Sequence, residues 1–239
     1  MSDAEFSKLR QRMLANIAAE TTRSCARWAG AALGARVMTT VANVPRHEFV
    51  PLELQCDAYA DIPLPIGFGK TISQPFIVAV MTDLLDPQPT DTVLEIGTEW
   101  GYQTAALAEL AQQVYSVELI EELAEQASRR LARQGCANVE IRVGNGWRGW
   151  PEHAPFDKVI VAAAPELIPP SLIQQLKPGG KMVIPSGPPD AQRLMLVDKD
   201  ANLTTLLFSA SWDDRLTASR TAFSAHSALR PRNWARLRM

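Results

Sequence analysis

Apolar positions follow two periods along the chain, and the change between them divides it. In residues 4–35, Leu9, Met13, Ile17 and Ala18 fall at helical spacing. That predicts one or two helices, with Asp3 as N-cap and Gly34 as terminator. From about 37 to 75 the period is lost and prolines accumulate at Pro45, Pro51, Pro63, Pro65 and Pro75. A stretch this long without regular structure is expected to be a lid or binding loop. Residues 76–85 regain a helical apolar face. A steady alternation follows: strands over 93–96, 114–117, 139–143, 157–162 and 181–185, with helices over 101–111, 119–134 and 170–176. The helix over 119–134 carries Glu121, Glu122 and Glu125 early and Arg129, Arg130 and Arg133 late, the order a helix dipole favours. Residues 157–162 are nearly all apolar, as in a central parallel strand covered on both faces. Residues 194–197 and 203–208 read as an antiparallel pair. The alternation predicts an α/β protein with a doubly wound, mostly parallel sheet.

Composition narrows the function classes. Of 239 residues, 46% are hydrophobic, enough for a sizeable core. A net charge of −2 argues against a nucleic-acid partner. No apolar run approaches the roughly 18–20 residues that span a bilayer, so no membrane association is expected. The start, Met1-Ser2-Asp3-Ala4-Glu5, lacks the basic and apolar regions of a signal peptide, which predicts a cytoplasmic location. Cys25, Cys56 and Cys136 are scattered, as are His47, His153 and His226, so no metal site is expected and the thiols should be reduced and buried. From Arg215 to Met239 the chain carries six arginines and no acid. That extension reads as a docking or lid element for an acidic partner, or as a solvated tail. Nothing in the sequence specifies an oligomeric state.

Candidate chemistry clusters where the strands end. In a doubly wound sheet, ligands bind at the carboxyl ends. After the first strand comes Glu95-Ile96-Gly97-Thr98-Glu99-Trp100-Gly101-Tyr102-Gln103, a glycine turn opening a helix. Glu118 ends the second strand, 21 residues beyond Gly97, where an acid can bind both ribose hydroxyls. Gly144-Asn145-Gly146-Trp147 follows the third, where an amide can meet an adenine edge. Three such ends in register point to a nucleoside-type ligand. S-adenosyl-L-methionine (SAM) fits better than NAD, because the third glycine of the dinucleotide fingerprint is missing.

These segments also carry a family signature. Pro45-Arg46-His47-Glu48-Phe49-Val50-Pro51, Asp57-Ala58-Tyr59-Ala60-Asp61 with Pro63-Leu64-Pro65-Ile66-Gly67, and Thr71-Ile72-Ser73-Gln74-Pro75 resemble the protein-L-isoaspartate O-methyltransferase family. So do Gly101-Tyr102-Gln103-Thr104, Ala163-Ala164-Pro165, Lys177-Pro178-Gly179-Gly180 and Ile184-Pro185-Ser186-Gly187. The resemblance implies a Rossmann-like SAM-dependent methyltransferase fold with a seven-stranded sheet and an antiparallel edge pair. It implies three parts: an N-terminal helical segment over 1–36, a methyltransferase domain over 37–212 with its catalytic loop at 57–75, and the extension over 213–239. The implied activity is methylation of the α-carboxylate of L-isoaspartyl residues in damaged proteins, so the implied partners are isoaspartyl peptides or proteins. Ser73 is the implied active-site hydroxyl, although it also fits a turn-forming or helix-capping serine. Thr71, Ile72 and Ser73 belong to the loop expected to cover the cofactor. Glu95, Gly97, Thr98, Gly101 and Gln103 would serve its methionine end, Glu118 and Leu119 its ribose, and Asn145 and Gly146 its adenine.

The chain departs from that pattern. The family's Gly-Thr-Gly-Ser-Gly turn has Glu99-Trp100 in place of its middle Gly-Ser, and Asn145 replaces an aspartate. Ser209-Ala210-Ser211-Trp212-Asp213-Asp214 replaces the usual ending near the peptide site. Two other readings therefore stay open: a SAM enzyme with another carboxylate substrate, and a non-catalytic protein on the same scaffold.

Overall fold

The computed structural model of the chain describes residues 1–28, 32–188, 190–199 and 204–211. The arginine-rich extension lies outside the described residues. Helix α1 (Asp3–Trp28) opens on a capping box, in which the Glu5 N–H donates to Ser2 Oγ at 3.4 Å and the Ser2 N–H donates to Glu5 Oε2 at 2.7 Å. Ser2 is the cap and Asp3 is already helical. Phe6, Met13 and Ile17 form the buried stripe, while Ala18 faces solvent. Gly34 does not terminate this helix; it precedes a second one, α2 (Ala35–Asn43). Its β-branched residues weaken the local helical signal, and burial of Val37, Thr40 and Val41 supplies what propensity does not.

The expected irregular stretch is largely structured. Short 3-10 turns span Arg46–Phe49 and Leu52–Asp57. Strands β1 (Leu64–Gly67) and β2 (Lys70–Ile72) form an antiparallel hairpin, with Leu64 opposite Ile72 and Pro65 opposite Thr71. Phe68 (φ +52°) and Gly69 (φ +66°) make its tight turn. Helix α3 (Pro75–Leu85) follows, with proline at its first turn.

The alternating half matches its pattern. It comprises β3 (Thr92–Ile96), α4 (Tyr102–Leu110), β4 (Gln113–Glu118), α5 (Glu121–Arg133), β5 (Val139–Val143), β6 (Phe156–Val161), α6 (Pro170–Gln175), β7 (Leu176–Ser186), β8 (Arg193–Lys199) and β9 (Thr204–Ser211). Seven strands lie in the order β5-β4-β3-β6-β7-β8-β9. The first five in that order are parallel, and β8 and β9 add antiparallel. Apolar side chains cover both faces. Val93, Ile160 and Val183 pack with α1–α5 on one, and Leu94, Val159 and Met182 pack with Trp150 and Leu172 on the other. The chain winds outward from β3 to β5 and then returns to β6 on the other side of β3. The switch point therefore falls between β3 and β6, and that is where a ligand crevice is expected.

Candidate active site

A cleft opens at this switch point. It is lined by Glu95 of β3 and Gly97 just after it, by Ile160 of β6 and Ala162 just after it, and by Glu99, Trp100, Tyr102 and Gln103 from the turn and α4. Ile72, Ser73, Ile77, Val78 and Met81 close the opposite side. Gly97 has φ +95°, and a Cβ there would lie 3.2 Å from that of Ala162. A side chain at this position would be strained and would enter the crevice.

The floor is a buried hydrogen-bonded chain. Glu95 is fully buried, and its Oε2 accepts from Thr104 Oγ1 and Ser116 Oγ, each at 2.6 Å. With the Ser116 proton so committed, Thr98 Oγ1 donates to Ser116 Oγ at 2.6 Å. The other Glu95 oxygen, Oε1, has no protein partner. Burial pushes the Glu95 carboxyl up to about 7, against the two hydroxyl donors and reinforced by Glu118. Glu118 is pinned at the end of β4. Its Oε2 accepts from the Glu99 N–H (2.8 Å), and its Oε1 from the N–H groups of Leu119 (2.9 Å) and Ile120 (3.0 Å). Glu99 takes the left-handed conformation at φ +55°. Its side chain lines the cleft, where burial and the Glu118 and Glu95 carboxylates raise its carboxyl well above the usual range. The Trp100 indole is part of the wall and lies beneath the Arg130 guanidinium, 3.7 Å from ring centre to Cζ.

The cover is held from two sides. Asp61 Oδ1 accepts from the Phe76 N–H and Oδ2 from Gln74 Nε2, both at 2.9 Å. Asp61 thus caps α3, so the cleft-lining Ser73 is not its cap. Tyr59 receives hydrogen bonds from Arg10 of α1, at 3.2 and 3.0 Å, and lies 2.8 Å from His47 Nδ1. Arg46 is fully buried; its Nε donates to the Ala58 carbonyl at 2.8 Å, and its guanidinium lies over the Tyr102 ring. Burial lowers Arg46 to about 10 and raises Tyr102 to about 12.

Of the residues singled out in the sequence, Ile72, Ser73, Glu95, Gly97 and Gln103 meet in the cleft. Thr98 sits behind it, and Thr71 lies beside it on the hairpin. Gly101 (φ +94°) opens α4. Gly146 packs so tightly on Ile96 that a Cβ would come within 2.3 Å of Ile96 Cγ2, and Asn145 Oδ1 accepts from the Trp147 N–H at 3.0 Å. Leu119 is about half exposed. Three supporting residues were given no role in the sequence reading, although Thr104 and Asp61 stand in its motifs: Ser116, Thr104 and Asp61. Ser116 had a visible signal, a small polar residue inside the apolar strand Val114-Tyr115-Ser116-Val117, and it stands directly opposite Glu95 in the sheet register. Among the described residues, no group of His, Cys, Asp and Glu is placed to hold a metal. Cys56 is exposed and Cys136 half-buried, so the expectation of buried thiols fails for Cys56.

The sheet order is Rossmann-like, with its crevice at the switch point, and the family whose pattern the chain matches makes it a SAM-dependent methyltransferase. A solved structure named protein-L-isoaspartate O-methyltransferase shares its fold, with a TM-score of 0.72 and 24% identity over 85% of this chain and 64% of that one. A Plasmodium falciparum structure holding S-adenosyl-L-homocysteine matches with a TM-score of 0.65 and 21% identity, over 82% of this chain and 94% of that one. The model of the protein-L-isoaspartate (D-aspartate) O-methyltransferase family matches residues 25–209. "Protein-L-isoaspartate O-methyltransferase 1" of Polaromonas sp. is 67% identical, covering 84% of this chain and 86% of its own length. A Syntrophobacter fumaroxidans relative, "Protein-L-isoaspartate O-methyltransferase 2", is 54% identical over 83% of this chain and 81% of its own. The chain belongs to this family. It is a SAM-dependent carboxyl O-methyltransferase that methylates L-isoaspartyl residues in damaged proteins.

Proposed function

We propose the following division of labour for that reaction. Glu95 and Gly97 receive the methionine end of SAM, with Thr98, Gly101 and Gln103 shaping the turn around it. Glu118 and Leu119 hold the ribose, and Asn145 and Gly146 face the adenine. Ser73, carried on the Thr71-Ile72-Ser73 segment, donates a hydrogen bond beside the reacting carboxylate. The observation that carries this reading is the convergence of Ser73, Glu95, Gly97 and Gln103 on one cleft at the switch point. The residues fit the cofactor on two further counts. Glu95 Oε1 is a buried acceptor without a protein partner, and Gly97 leaves open the space that a side chain would fill.

SAM, when bound, supplies an activated methyl group on its sulfonium. The acceptor carboxylate, with a pKa near ~4, is already anionic at neutral pH. The protein therefore needs no strong general base. Its work is to align the reactants and keep water out. Ile72, Ile77, Val78 and Met81 supply an apolar wall, and Asp61 fixes the segment that carries Ser73.

The test pairs an isoaspartyl peptide with its aspartyl twin. Methyl transfer to the first alone is expected, with Ser73→Ala lowering kcat by about tenfold to hundredfold. Equal transfer to both peptides would reject the substrate reading, and an unchanged kcat would reject the role of Ser73. We further propose that 1–36 is an N-terminal helical segment, packed on the rest of the molecule through α1, which shares its core with α2 and α3. On this reading 37–212 is the methyltransferase domain and 213–239 an extension. The enzyme is assigned to the cytoplasm on its sparse, scattered cysteines, a reading that fractionation would check. Among the described residues, no helix is long and apolar enough to cross a membrane.

A further inference from the structure

We propose that Glu99 is a specificity residue that makes this cleft favour the sulfonium cofactor over its thioether product. The inference rests on the cofactor site proposed above. The residues lining the cleft include two carboxylates, Glu95 and Glu99, and no lysine, arginine or histidine. SAM and S-adenosyl-L-homocysteine share every group but one: methyl transfer removes the methyl and, with it, the positive charge on sulfur. A lining that carries only acids among its ionisable strong charges therefore distinguishes the two by their net charge.

The Glu99 side chain is directed there by the backbone. The residue sits at φ +55°, where a side chain other than glycine's is disfavoured. The turn holds that conformation with two hydrogen bonds, Glu99 N–H to Glu118 Oε2 at 2.8 Å and Gly101 N–H to the Thr98 carbonyl at 2.9 Å. The charged groups that act on Glu99 are Glu118 at the end of β4, Glu95 on β3, Lys70 on the hairpin and Arg46 in the 3-10 turn. Three acids thus stand against two bases, buried Arg46 and half-buried Lys70, and Glu95 Oε1 has no protein partner. This surplus is what a cationic ligand relieves. Burial and the neighbouring acids favour the protonated form of Glu99, whereas a sulfonium beside it favours the ionised form, with the proton passing to solvent and the carboxylate as counter-charge. The thioether gives no such pull. A cofactor cation would gain here what the product cannot, and the product would leave more readily.

Calorimetric titration of the full chain with SAM and with S-adenosyl-L-homocysteine tests this. The proteins compared are wild type, Glu99→Gln and Glu99→Gly, each at pH 7 in two buffers of different ionisation heat. In wild type, the preference for SAM over product should exceed that of Glu99→Gln by about tenfold or more. SAM binding, unlike product binding, should release a proton in wild type, and that release should vanish in Glu99→Gln. Equal preference in wild type and Glu99→Gln overturns the proposal, as does tighter SAM binding by Glu99→Gly, which would make Glu99 an obstruction. Failure of both ligands to bind any of the three proteins would overturn the cofactor site together with this inference. Equal preference with tight binding overturns the inference alone.

Discussion

The two ends of the proposed cofactor site are built differently. At the ends of β3 and β4 the polar groups are buried and tied to one another: Thr98 to Ser116, Ser116 and Thr104 to Glu95, and three backbone N–H groups to Glu118. At the end of β5 the loop is held by Gly146 packing against Ile96 and mostly by backbone bonds, among them Gly144 N–H to the Glu118 carbonyl at 2.7 Å and Arg148 N–H to the Asn145 carbonyl at 3.0 Å; its Asn145 side chain accepts only from the Trp147 N–H among the described residues, and the Trp147 side chain stands 47% exposed. The contrast teaches where binding energy can be prearranged. A buried donor or acceptor fixed before the ligand arrives needs no reorganisation on binding. An exposed loop gives shape and modest polar contact.

The largest test breaks the ordered end. Glu118→Ala leaves three N–H groups without their acceptor, each costing about 1–3 kcal/mol where buried. Thermal melting should show strong destabilisation, and calorimetry a fall in SAM affinity of at least about a hundredfold. Unchanged affinity in a folded variant would remove Glu118 from the ribose site.

Next in size is a pH effect at Glu95. Its folded-state value of about 7 lies above the ordinary 4.5. The stabilisation linked to its proton is therefore complete below about 4.5 and lost as pH rises through about 7. Denaturant melts should show wild type losing about 3 kcal/mol more than Glu95→Gln between pH 4.5 and 8. Parallel losses would mean that the carboxyl is ionised throughout.

Asp61→Ala moves the comparison to the cover. Loss of the α3 cap should cost about 1–2 kcal/mol. Displacing Ser73 should lower kcat about tenfold while leaving SAM affinity unaltered. A weakened SAM affinity with normal kcat would place Asp61 in cofactor binding instead.

The smallest effect belongs to the β5 end, where few side chains are fixed in advance. Asn145→Ala removes one cap acceptor, worth about 1 kcal/mol, and should weaken SAM binding only severalfold. A loss rivalling that of Glu118→Ala would erase the distinction between the two ends.

Much of the frame was legible from residue order. The alternation of short apolar runs and amphipathic helices marked β3 through β8, because both periodicities are local. Glu95, Gly97 and Glu118 were legible for a related reason: each stands next to a strand end, and strand ends are where doubly wound sheets bind ligands. The stretch over 37–75 was not. Helix α2 is rich in β-branched residues and the hairpin is short and proline-flanked, so both depend on burial against neighbours distant in sequence. The same holds for Asp61, whose role as cap of α3 spans fifteen residues to Phe76.

Glu99 marks the boundary most clearly. Residue order shows that an acid replaces a glycine in the cofactor turn, and the Coulomb energy of such an acid is large at short range whichever way it points. Its sign depends on direction, and direction is set by φ at one residue, by the hydrogen bond from its N–H to Glu118, and by the apolar wall that α3 brings across the sheet. Periodicity and turn chemistry act between neighbours in the chain, and so they can be read along it. Burial, charge balance and the aim of a side chain act between neighbours in space, and these arise only once the sheet has closed.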